Sequence, residues 1–371
     1  MSPFDRRLFT HLNWSLLLLA LLLFGLGVLN IYSASSLQSA AGMTKVAFFQ
    51  KQLFWGGIGL CGLVLCSSFD YRHLRSLAWP AYWLSLVLLA FVFFTGEAIY
   101  GSRRWLDLGL FHFQPTELAK LSSLLLTALL LTRTPGLLTW KDLGKILLTI
   151  SAPVVFIVIQ PDLGSGLNIL LLAGGMMLYH GIQTRVFWTL ALVIPVLMPI
   201  CWFGLHEYQQ ERILTFLNPH SDPQGAGYNI LQSQIAIGSG QIWGKGFLEG
   251  TQSQLRFLPE KHTDFVLAVF CEEWGFAGSI LLLSLFCIFL YQIMMVIQDS
   301  KDRFGHYISV GVFFYFFWQI VINMGMVLGL LPVVGIPLPF LSYGGTSTLI
   351  NFCFLGLALN VSMRRFVFKS D

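Results

Sequence analysis

Charged side chains are scarce in this chain of 371 residues. Asp, Glu, Lys and Arg together make up 11% of the sequence, whereas hydrophobic residues make up 56% and the mean hydropathy is +0.71. A soluble domain carries about 25% charged residues, so this composition excludes a protein whose whole surface faces water. A spanning helix needs roughly 20 apolar residues, and apolar runs of that size recur along the chain. The sequence therefore predicts an integral membrane protein that crosses the bilayer several times.

Cysteine and histidine are also sparse, and their spacing excludes several kinds of site. The six cysteines lie in or beside apolar runs and show neither zinc-site spacing nor a disulfide framework. They are predicted to be small buried side chains. The eight histidines show no spacing that requires a metal. The net charge of +4 comes from basic residues scattered between apolar runs, so no nucleic-acid partner is expected.

Hydropathy predicts an all-α fold of about ten transmembrane helices in one domain, residues 1–371. The predicted span centres are, in chain order, Leu23, Gly59, Leu86, Leu125, Val154, Leu172, Val196, Leu281, Phe317 and Phe354. Arg6 and Arg7 precede the first span, and no small-residue cleavage site follows it. The sequence therefore predicts a membrane helix there and not a cleaved signal peptide. One long polar interruption, residues 205–264, separates the seventh span from the eighth.

The placement of Lys and Arg predicts the orientation. If the N-terminus is cytoplasmic and the helices alternate, more than half of the basic residues fall at cytoplasmic helix ends and few fall in short outer loops. Both termini are then cytoplasmic, and residues 205–264 form a large extracytoplasmic loop. The unusual polar segments all fall on that outer side, so any chemistry is predicted to take place there, near the membrane surface.

The most informative polar segment ends at Asp264. Residues 256–264 (RFLPEKHTD) hold five ionisable side chains and lead directly into an apolar run. A carboxylate at this boundary can reach a water-soluble sugar and a lipid headgroup together, and partly apolar surroundings raise its pKa and suit it to act as a base. The alternative is that Thr263 or Asp264 caps the eighth span. Glu272, eight residues further on, is expected to share a helix face with Asp264.

Two charges, Glu117 and Lys120, stand one helical turn apart just inside the fourth predicted span, where they can pair. Charges within a membrane span are energetically expensive and indicate function by default. In that interpretation Lys120 attracts a phosphate and Glu117 holds it in place. The alternative is a pair that fixes helix packing. Pro115, just before Glu117, suits a helix start.

Three further segments are candidates for a site. Arg103 and Arg104 can bind a pyrophosphate bidentately, or they can anchor the chain in the headgroup layer. Asp162 is predicted to cap the sixth span. Residues 332–346 (PVVGIPLPFLSYGGT) carry three prolines and three glycines at membrane depth, where non-helical backbone must be buried in protein or line a cavity. They predict a re-entrant turn that walls a site.

Six segments resemble the SEDS family (shape, elongation, division and sporulation) of bacterial cell-wall glycosyltransferases. They are residues 101–105 (GSRRW), 114–120 (QPTELAK), 160–164 (QPDLG), 232–240 (QSQIAIGSG), 258–265 (LPEKHTDF) and 337–345 (PLPFLSYGG). The segments occur in family order over nearly the whole chain. The short N-terminus and overall length resemble the elongation members more than the division members. Small departures, such as Gln241 where the family often has a third glycine, remove no group that the chemistry needs.

The resemblance implies an enzyme of the bacterial cytoplasmic (inner) membrane that polymerises lipid II into peptidoglycan strands. It also implies a class B penicillin-binding protein as partner, Asp264 as the essential acid of the long loop, and Glu117 and Lys120 as the family's pair in the fourth span. The reaction expected is an inverting transfer in which a sugar 4-hydroxyl attacks the anomeric carbon and undecaprenyl pyrophosphate leaves. Asp264 is predicted to be the catalytic base that accepts the hydroxyl proton.

The leaving group also needs its developing charge neutralised by cations placed in advance. The predicted cations are Lys120, Arg103, Arg104, Arg212 and Lys261. Substrate binding is also predicted for Glu117, Glu260 and His262. No metal site or organic cofactor is predicted; a divalent cation that bridges carboxylate and pyrophosphate stays open, although no ligand spacing supports one. Membrane lipids are expected around the spans.

Two other functions stay open at this point. The first is a flippase for the lipid-linked precursor, and the second is a scaffold that only recruits an enzyme. A flippase is expected to carry polar residues along a path through the midplane, whereas the ionisable residues of this sequence cluster toward one face. A scaffold would not need outward-facing charges to converge.

Overall fold

Helices dominate the computed structural model, which describes residues 11–40, 48–95, 97–99, 102–107, 112–204, 207–219, 222, 225–254, 257–258 and 260–366. The helices are α1 Trp14–Ala40, α2 Phe48–Ser68, α3 Leu74–Thr95, α4 Pro115–Arg133, α5 Trp140–Ile159, α6 Leu163–His180, α7 Thr184–Trp202, α8 Glu207–Leu217, α9 Ala226–Ser239, α10 Thr251–Gln254, α11 Val266–Asp299, α12 Arg303–Val327 and α13 Gly345–Met363. Short 3-10 turns precede α3 and follow α13.

Each of the ten predicted span centres lies inside one of these helices. Within the described residues, seven helical segments are long and apolar enough to cross a membrane. They correspond to α1, α3, α5, α6, α11, α12 and α13. The helix α7 is apolar over a shorter stretch, Thr184–Leu197, and α2 and α4 carry the charges Lys51, Glu117 and Lys120. The helical membrane class is confirmed, whereas the number ten stays a prediction.

The segment between α3 and α4 contains strands that hydropathy did not predict. Three short strands form an antiparallel sheet there, β1 Glu97–Ile99, β2 Ser102–Asp107 and β3 His112–Phe113, with β2 in the middle. Side chains alternate between the two faces of a strand, and that period is lost when hydropathy is averaged over the length of a span. The sheet matters for function because β2 brings Arg104 to the end of the helix bundle where α4 and α6 begin.

The core lies around α12, which packs against α4, α6, α11 and α13. Aromatic rings fill it: the rings of Tyr315 and Phe354 stack 3.7 Å apart, and Phe289 meets Phe316 edge-on. The outer helix faces are apolar as well, as at Leu148, which is 75% exposed. A surface that is apolar on the outside suits acyl chains and not water.

The longest helix, α11, is broken near its beginning. Gly275 has φ 65° and ψ −163°, a conformation that glycine tolerates and other residues rarely adopt. The turn at residues 240–246 pairs with the break: the N–H of Lys245 donates to the carbonyl of Glu272 at 3.0 Å, and the N–H of Phe276 donates to the carbonyl of Gln241 at 2.8 Å. These bonds satisfy backbone groups that the break removes from the helical ladder.

Candidate functional site

One cleft of about 880 Å³ collects most of the predicted site residues. It lies where the N-terminal ends of α2, α4, α6 and α13 meet the turn before α11 and the segment 335–347. Its charged and polar lining includes Gln50, Lys51, Arg104, Gln114, Glu117, Lys120, Asp162, Ser165, Asn168, Glu260, His262, Thr263, Asp264, Tyr343 and Thr346. Residues 335–337 and 343–346 of the segment 332–346 line this cleft, as predicted, whereas the re-entrant path of the segment stays a prediction.

Asp264 lies on the cleft wall in the turn that leads into α11. The N-cap of α11 is Phe265, and no side chain caps the helix, so the alternative that Thr263 or Asp264 serves as a cap does not hold. The backbone of Asp264 is fixed from α12, since Asn323 Nδ2 donates to its carbonyl oxygen at 3.1 Å and to that of Ile336 at 2.8 Å. One amide therefore ties the carboxylate-bearing turn to the segment 332–346.

Burial raises the pKa of Asp264 to about 6 from an ordinary value of 3.8. That value of about 6 for the pKa already includes the negative charge of Glu260, which raises it, and the positive charge of Arg212, which lowers it. A Cβ on Gly335 would lie 3.6 Å from Asp264 Oδ2, so the backbone approaches closely there. A carboxylate with this pKa is ionised at neutral pH and is more basic than an ordinary aspartate, which suits a general base.

Arg212, predicted to bind substrate, lies in α8 and donates from Nη1 to the carbonyl of Val333 at 3.0 Å. It does not contribute to the described cleft lining, although its charge acts on Asp264. Lys261 is 4% exposed and likewise stands behind the lining. Arg212 and Lys261, the predicted cations of the long loop, therefore lie behind the described lining of the cleft and are not part of it.

His262 faces the cleft with its ring stacked 4.3 Å from that of Phe48. Burial is the first cause that lowers the pKa of His262 below 6.5, so the neutral ring is favoured. Its Nδ1 atom finds no hydrogen-bond partner among the described residues. The N–H of Tyr343 donates to the carbonyl of His262 at 2.8 Å, which ties this turn to the segment before α13.

Glu117 and Lys120 form the predicted ion pair, with 2.6 Å between Lys120 Nζ and Glu117 Oε1. Both residues are 4% exposed. Lys120 Nζ also lies 5.9 Å from the ring centroid of Tyr315, where the ring face attracts a cation. Much of the charge of Lys120 is therefore balanced within the protein.

Arg104 occupies the cleft rim and also bonds to the protein. Its Nε donates to the carbonyl of Gln160 at 2.9 Å, and its Nη2 donates to the carbonyl of Pro161. The guanidinium thus fastens β2 to the turn before α6. Arg103 lies in β2, but its side chain falls outside the described residues. Asp162 caps α6 as predicted, since its Oδ1 accepts from the N–H of Ser165 at 3.1 Å.

Several lining residues were not predicted. Lys51, Phe48 and Asn168 had no assigned role in the sequence analysis. The polar start of α2 and the amide within an apolar run were the available signals. The expectation for Glu272 is wrong, because Asp264 precedes the helix and shares no face with it. Glu272 Oε1 instead accepts from Lys245 Nζ at 2.7 Å, which anchors the turn at 240–246.

No group of three or more His, Cys, Asp or Glu side chains that could hold a metal occurs among the described residues. Asp264 and Glu260 both face the cleft, but no third such ligand is grouped with them. A cation in this cleft would depend on oxygen atoms supplied by a substrate.

The fold and cleft define a polytopic membrane protein with a charged site at one end of its bundle. The chain belongs to the FtsW/RodA/SpoVE cell cycle protein family, whose model matches residues 13–366. It is 36% identical to the peptidoglycan glycosyltransferase MrdB of Escherichia coli K12 over 356 residues, which cover 96% of this chain and 94% of MrdB. It is also 36% identical to a probable peptidoglycan glycosyltransferase FtsW of Geobacter sp. strain M18 over 354 residues, covering 94% and 96% of the two chains.

Two solved structures show the same architecture. One is a chain of a peptidoglycan synthase complex, from a structure on the coordination of polymerization and crosslinking by that complex. The match has a TM-score of 0.82 and 32% identity, and it covers 96% of this chain and 99% of that chain. The other is the Rod shape determining protein RodA of Thermus thermophilus, with TM-score 0.71, 29% identity and coverage of 96% and 98%. The family assignment by resemblance is confirmed.

Proposed function

We propose that this chain is a peptidoglycan glycosyltransferase that polymerises lipid II into glycan strands during cell elongation. The observation that carries the proposal is a half-buried carboxylate, Asp264, whose pKa is raised to about 6 on the wall of a cleft of about 880 Å³. The names of the MrdB and FtsW relatives support the same activity. The name of the structural neighbour RodA, a Rod shape determining protein, supports the elongation role.

The reaction is a single displacement. The 4-hydroxyl oxygen of the acceptor sugar forms a bond to the anomeric carbon of the donor, and its proton passes to Asp264 as that bond forms. The bond between the anomeric carbon and the phosphate oxygen breaks, and undecaprenyl pyrophosphate leaves with the electron pair. One displacement inverts an α-linked donor to a β-linked polymer. Diphosphate is a competent leaving group, so one carboxylate is sufficient and no general acid is required.

Positive groups that can meet the diphosphate lie at the edge of this cleft. Four helices, α2, α4, α6 and α13, begin at its edge, and each N-terminus carries a partial positive charge that favours anions. Lys51 and Arg104 add full charges at the same edge. Charge that develops on the leaving oxygen is therefore stabilised by groups that are already in place. Arg103, Arg212 and Lys261 remain proposed contributors to this field.

The proposed orientation places both termini in the cytoplasm and the cleft, with loop 205–264, on the outer side of the bacterial inner membrane. The distribution of basic residues supports it. The whole chain is proposed to form one integral membrane domain. A class B penicillin-binding protein is the proposed partner, which the structural similarity to a synthase complex chain supports.

A divalent cation is a subsidiary proposal: Asp264 would help to hold it, and it would neutralise charge on the substrate diphosphate. Chelation of divalent cations before the assay tests it. Polymerisation that continues at the same rate after chelation would exclude an essential divalent cation.

The decisive experiment supplies lipid II to the purified protein in detergent, alone and with its partner, and measures polymer length. The wild-type chain is expected to lengthen glycans, whereas Asp264→Asn is expected to fold and bind substrate without polymerising it. Asp222→Asn changes a carboxylate of the same loop that does not line the cleft and is expected to retain activity. A flippase would move the lipid across vesicles without lengthening it, and normal polymerisation by Asp264→Asn would overturn the assignment of the base.

A further inference from the structure

Unpaired polar atoms lie deep in the cleft. Asn168 is 1% exposed, and neither its Oδ1 nor its Nδ2 has a hydrogen-bond partner among the described residues. Glu117 Oε2 is likewise buried without a described partner. Burying a polar group without a hydrogen bond is unfavourable, so such atoms in a native structure call for an explanation. Both residues line the cleft, where a bound molecule can supply the missing partners.

Other buried asparagines of the described residues differ from Asn168. Asn323 and Asn360 each donate from Nδ2 to two carbonyl oxygens, and Asn351 Oδ1 accepts from the hydroxyl of Tyr315 at 2.9 Å. Those amides hold helices and turns together. Among the buried asparagines that are described, Asn168 is the one with both amide atoms unpaired, and so packing does not explain it.

Asn168 and Lys120 lie at the same depth. Their helices, α6 and α4, both begin at the cleft and pack against each other. The residues that precede these helices are level, because Gln114 Nε2 donates to Asp162 Oδ2 at 3.2 Å. Lys120 lies six residues beyond Gln114, and Asn168 lies six residues beyond Asp162. Six residues correspond to about 9 Å along a helix, at 1.5 Å per residue. Glu117, Lys120 and Asn168 thus form the cleft floor.

The hydrogen-bonding capacity of the cleft floor identifies its ligand. The unpaired atoms are two acceptors, Glu117 Oε2 and Asn168 Oδ1, and one donor group, Asn168 Nδ2. An ionised diphosphate offers acceptors only, so it leaves both floor acceptors unsatisfied. A sugar ring offers hydroxyl groups that donate and accept, and an acetamido substituent offers one N–H and one C=O that match a carboxamide.

We infer that the cleft floor binds the hydroxyl- and acetamido-bearing sugar of the substrate, while the diphosphate lies nearer the rim beside Arg104 and the helix ends. This inference rests on the proposed function and deepens it. It assigns Asn168 the role of positioning the substrate. It also changes the role of Lys120, which orients Glu117 through their ion pair and does not bind a phosphate. The functional interpretation of the pair is retained, but its chemical target changes.

The test compares two partial ligands on the full-length protein. One is a soluble N-acetylated disaccharide that lacks the diphosphate, and the other is a short-chain prenyl diphosphate that lacks the sugar. Asn168→Leu is expected to weaken disaccharide binding about tenfold, roughly the loss of two neutral hydrogen bonds, and to leave prenyl diphosphate binding unchanged. Asn168→Ala, which removes both amide atoms without adding a charge, is expected to show the same selectivity.

Thermal stability separates ligand binding from packing. Asn168→Leu is expected to keep or raise the Tm, since it replaces an unpaired amide by an apolar group of similar size. Asn351→Leu is the matched control: it leaves the Tyr315 hydroxyl without its acceptor, so it is expected to lower the Tm without changing the ratio of the two affinities. A lower Tm for Asn168→Leu would mark it as a packing residue and overturn the inference.

The binding outcomes are equally decisive. Selective loss of the prenyl diphosphate, equal loss of both ligands, or no change in either would overturn the assignment of the floor to the sugar. Polymerisation of lipid II by the wild-type protein is measured separately. Its absence would overturn the proposed function, whereas normal polymerisation with an unchanged affinity ratio in Asn168→Leu would overturn only this inference.

Discussion

Replacing Glu260 by Gln is expected to move the acid limb of the pH–rate profile to lower pH. If Asp264 is the base, kcat/KM should fall as the carboxylate is protonated, with a midpoint near pH 6 and about a tenfold decrease for each pH unit below it. The difference between an ordinary 3.8 and about 6 corresponds to about 3 kcal/mol of disfavoured ionisation, at 1.36 kcal/mol per unit.

The direction of the shift follows from the causes of that raised pKa. Burial comes first and remains in Glu260→Gln, whereas the second cause, the negative charge of Glu260, is removed. The midpoint should therefore fall, but by less than the full difference from 3.8. Arg212→Gln removes a positive charge that lowers the pKa, so its midpoint should rise. The two variants are thus expected to shift the profile in opposite directions.

The assay is the initial rate of lipid II polymerisation between about pH 4.5 and 8 at constant ionic strength. The midpoint is compared, and not the height of the profile, because Glu260 also faces substrate. Glu249→Gln, an exposed glutamate of the same loop outside the cleft, should keep the wild-type midpoint. Equal midpoints in wild type and Glu260→Gln, or an upward shift, would refute Asp264 as the group that titrates.

Three other expectations concern stability. The raised pKa of Asp264 contributes stability that is present below about pH 3.8 and is lost as the pH rises through about 6. At pH 8 the free energy of unfolding of Asp264→Asn should therefore equal that of the wild type or exceed it by up to about 3 kcal/mol. A clearly lower Tm for the variant would contradict this. Lys120→Ala leaves Glu117 buried without its cation, which should lower the free energy of unfolding by about 3–5 kcal/mol. The double variant with Glu117→Gln should recover most of the lost Tm. If turnover in Lys120→Ala stays at the wild-type rate, the result would favour a packing role for the pair. Gly275→Ala imposes a left-handed φ on a residue with a Cβ and should cost about 1–3 kcal/mol, seen as faster proteolysis at residues 240–254; unchanged proteolysis would show that the break tolerates a side chain.

Hydropathy located the ten helical centres because a span is a long, local and strongly apolar signal. The sheet at 97–113 escaped it because its strands are too short to affect such an average. The break at Gly275 could not be predicted locally, since a glycine in an apolar run is common and this one depends on a turn some thirty residues earlier in the chain. That dependence is a contact between distant segments, which no local pattern encodes.

The candidate site likewise contains residues with a local sequence signal and residues whose role depends on contacts between distant segments. Asp264 could be predicted because charge density changes abruptly at the junction that it occupies. Asn168 could not, because a single amide in an apolar helix resembles the partnered amides Asn323 and Asn360 until their hydrogen bonds are known. Arg104 was correctly placed near the cleft, but its bonds to backbone carbonyls depend on β2, which the sequence did not predict.

The break in α11 also determines how the protein fits a bilayer. A continuous helix of 34 residues would be about 51 Å long, well beyond the roughly 30 Å of a hydrocarbon core. The stretch after the break, 276–299, is about 36 Å long, which is long enough to cross that core with a modest tilt. Membranes of different thickness change the tilt of a span, and Gly275 is where such a change can be absorbed. The carboxylate of Asp264, on the other side of the break, can then keep its position in the cleft while the span below it adjusts to the lipid.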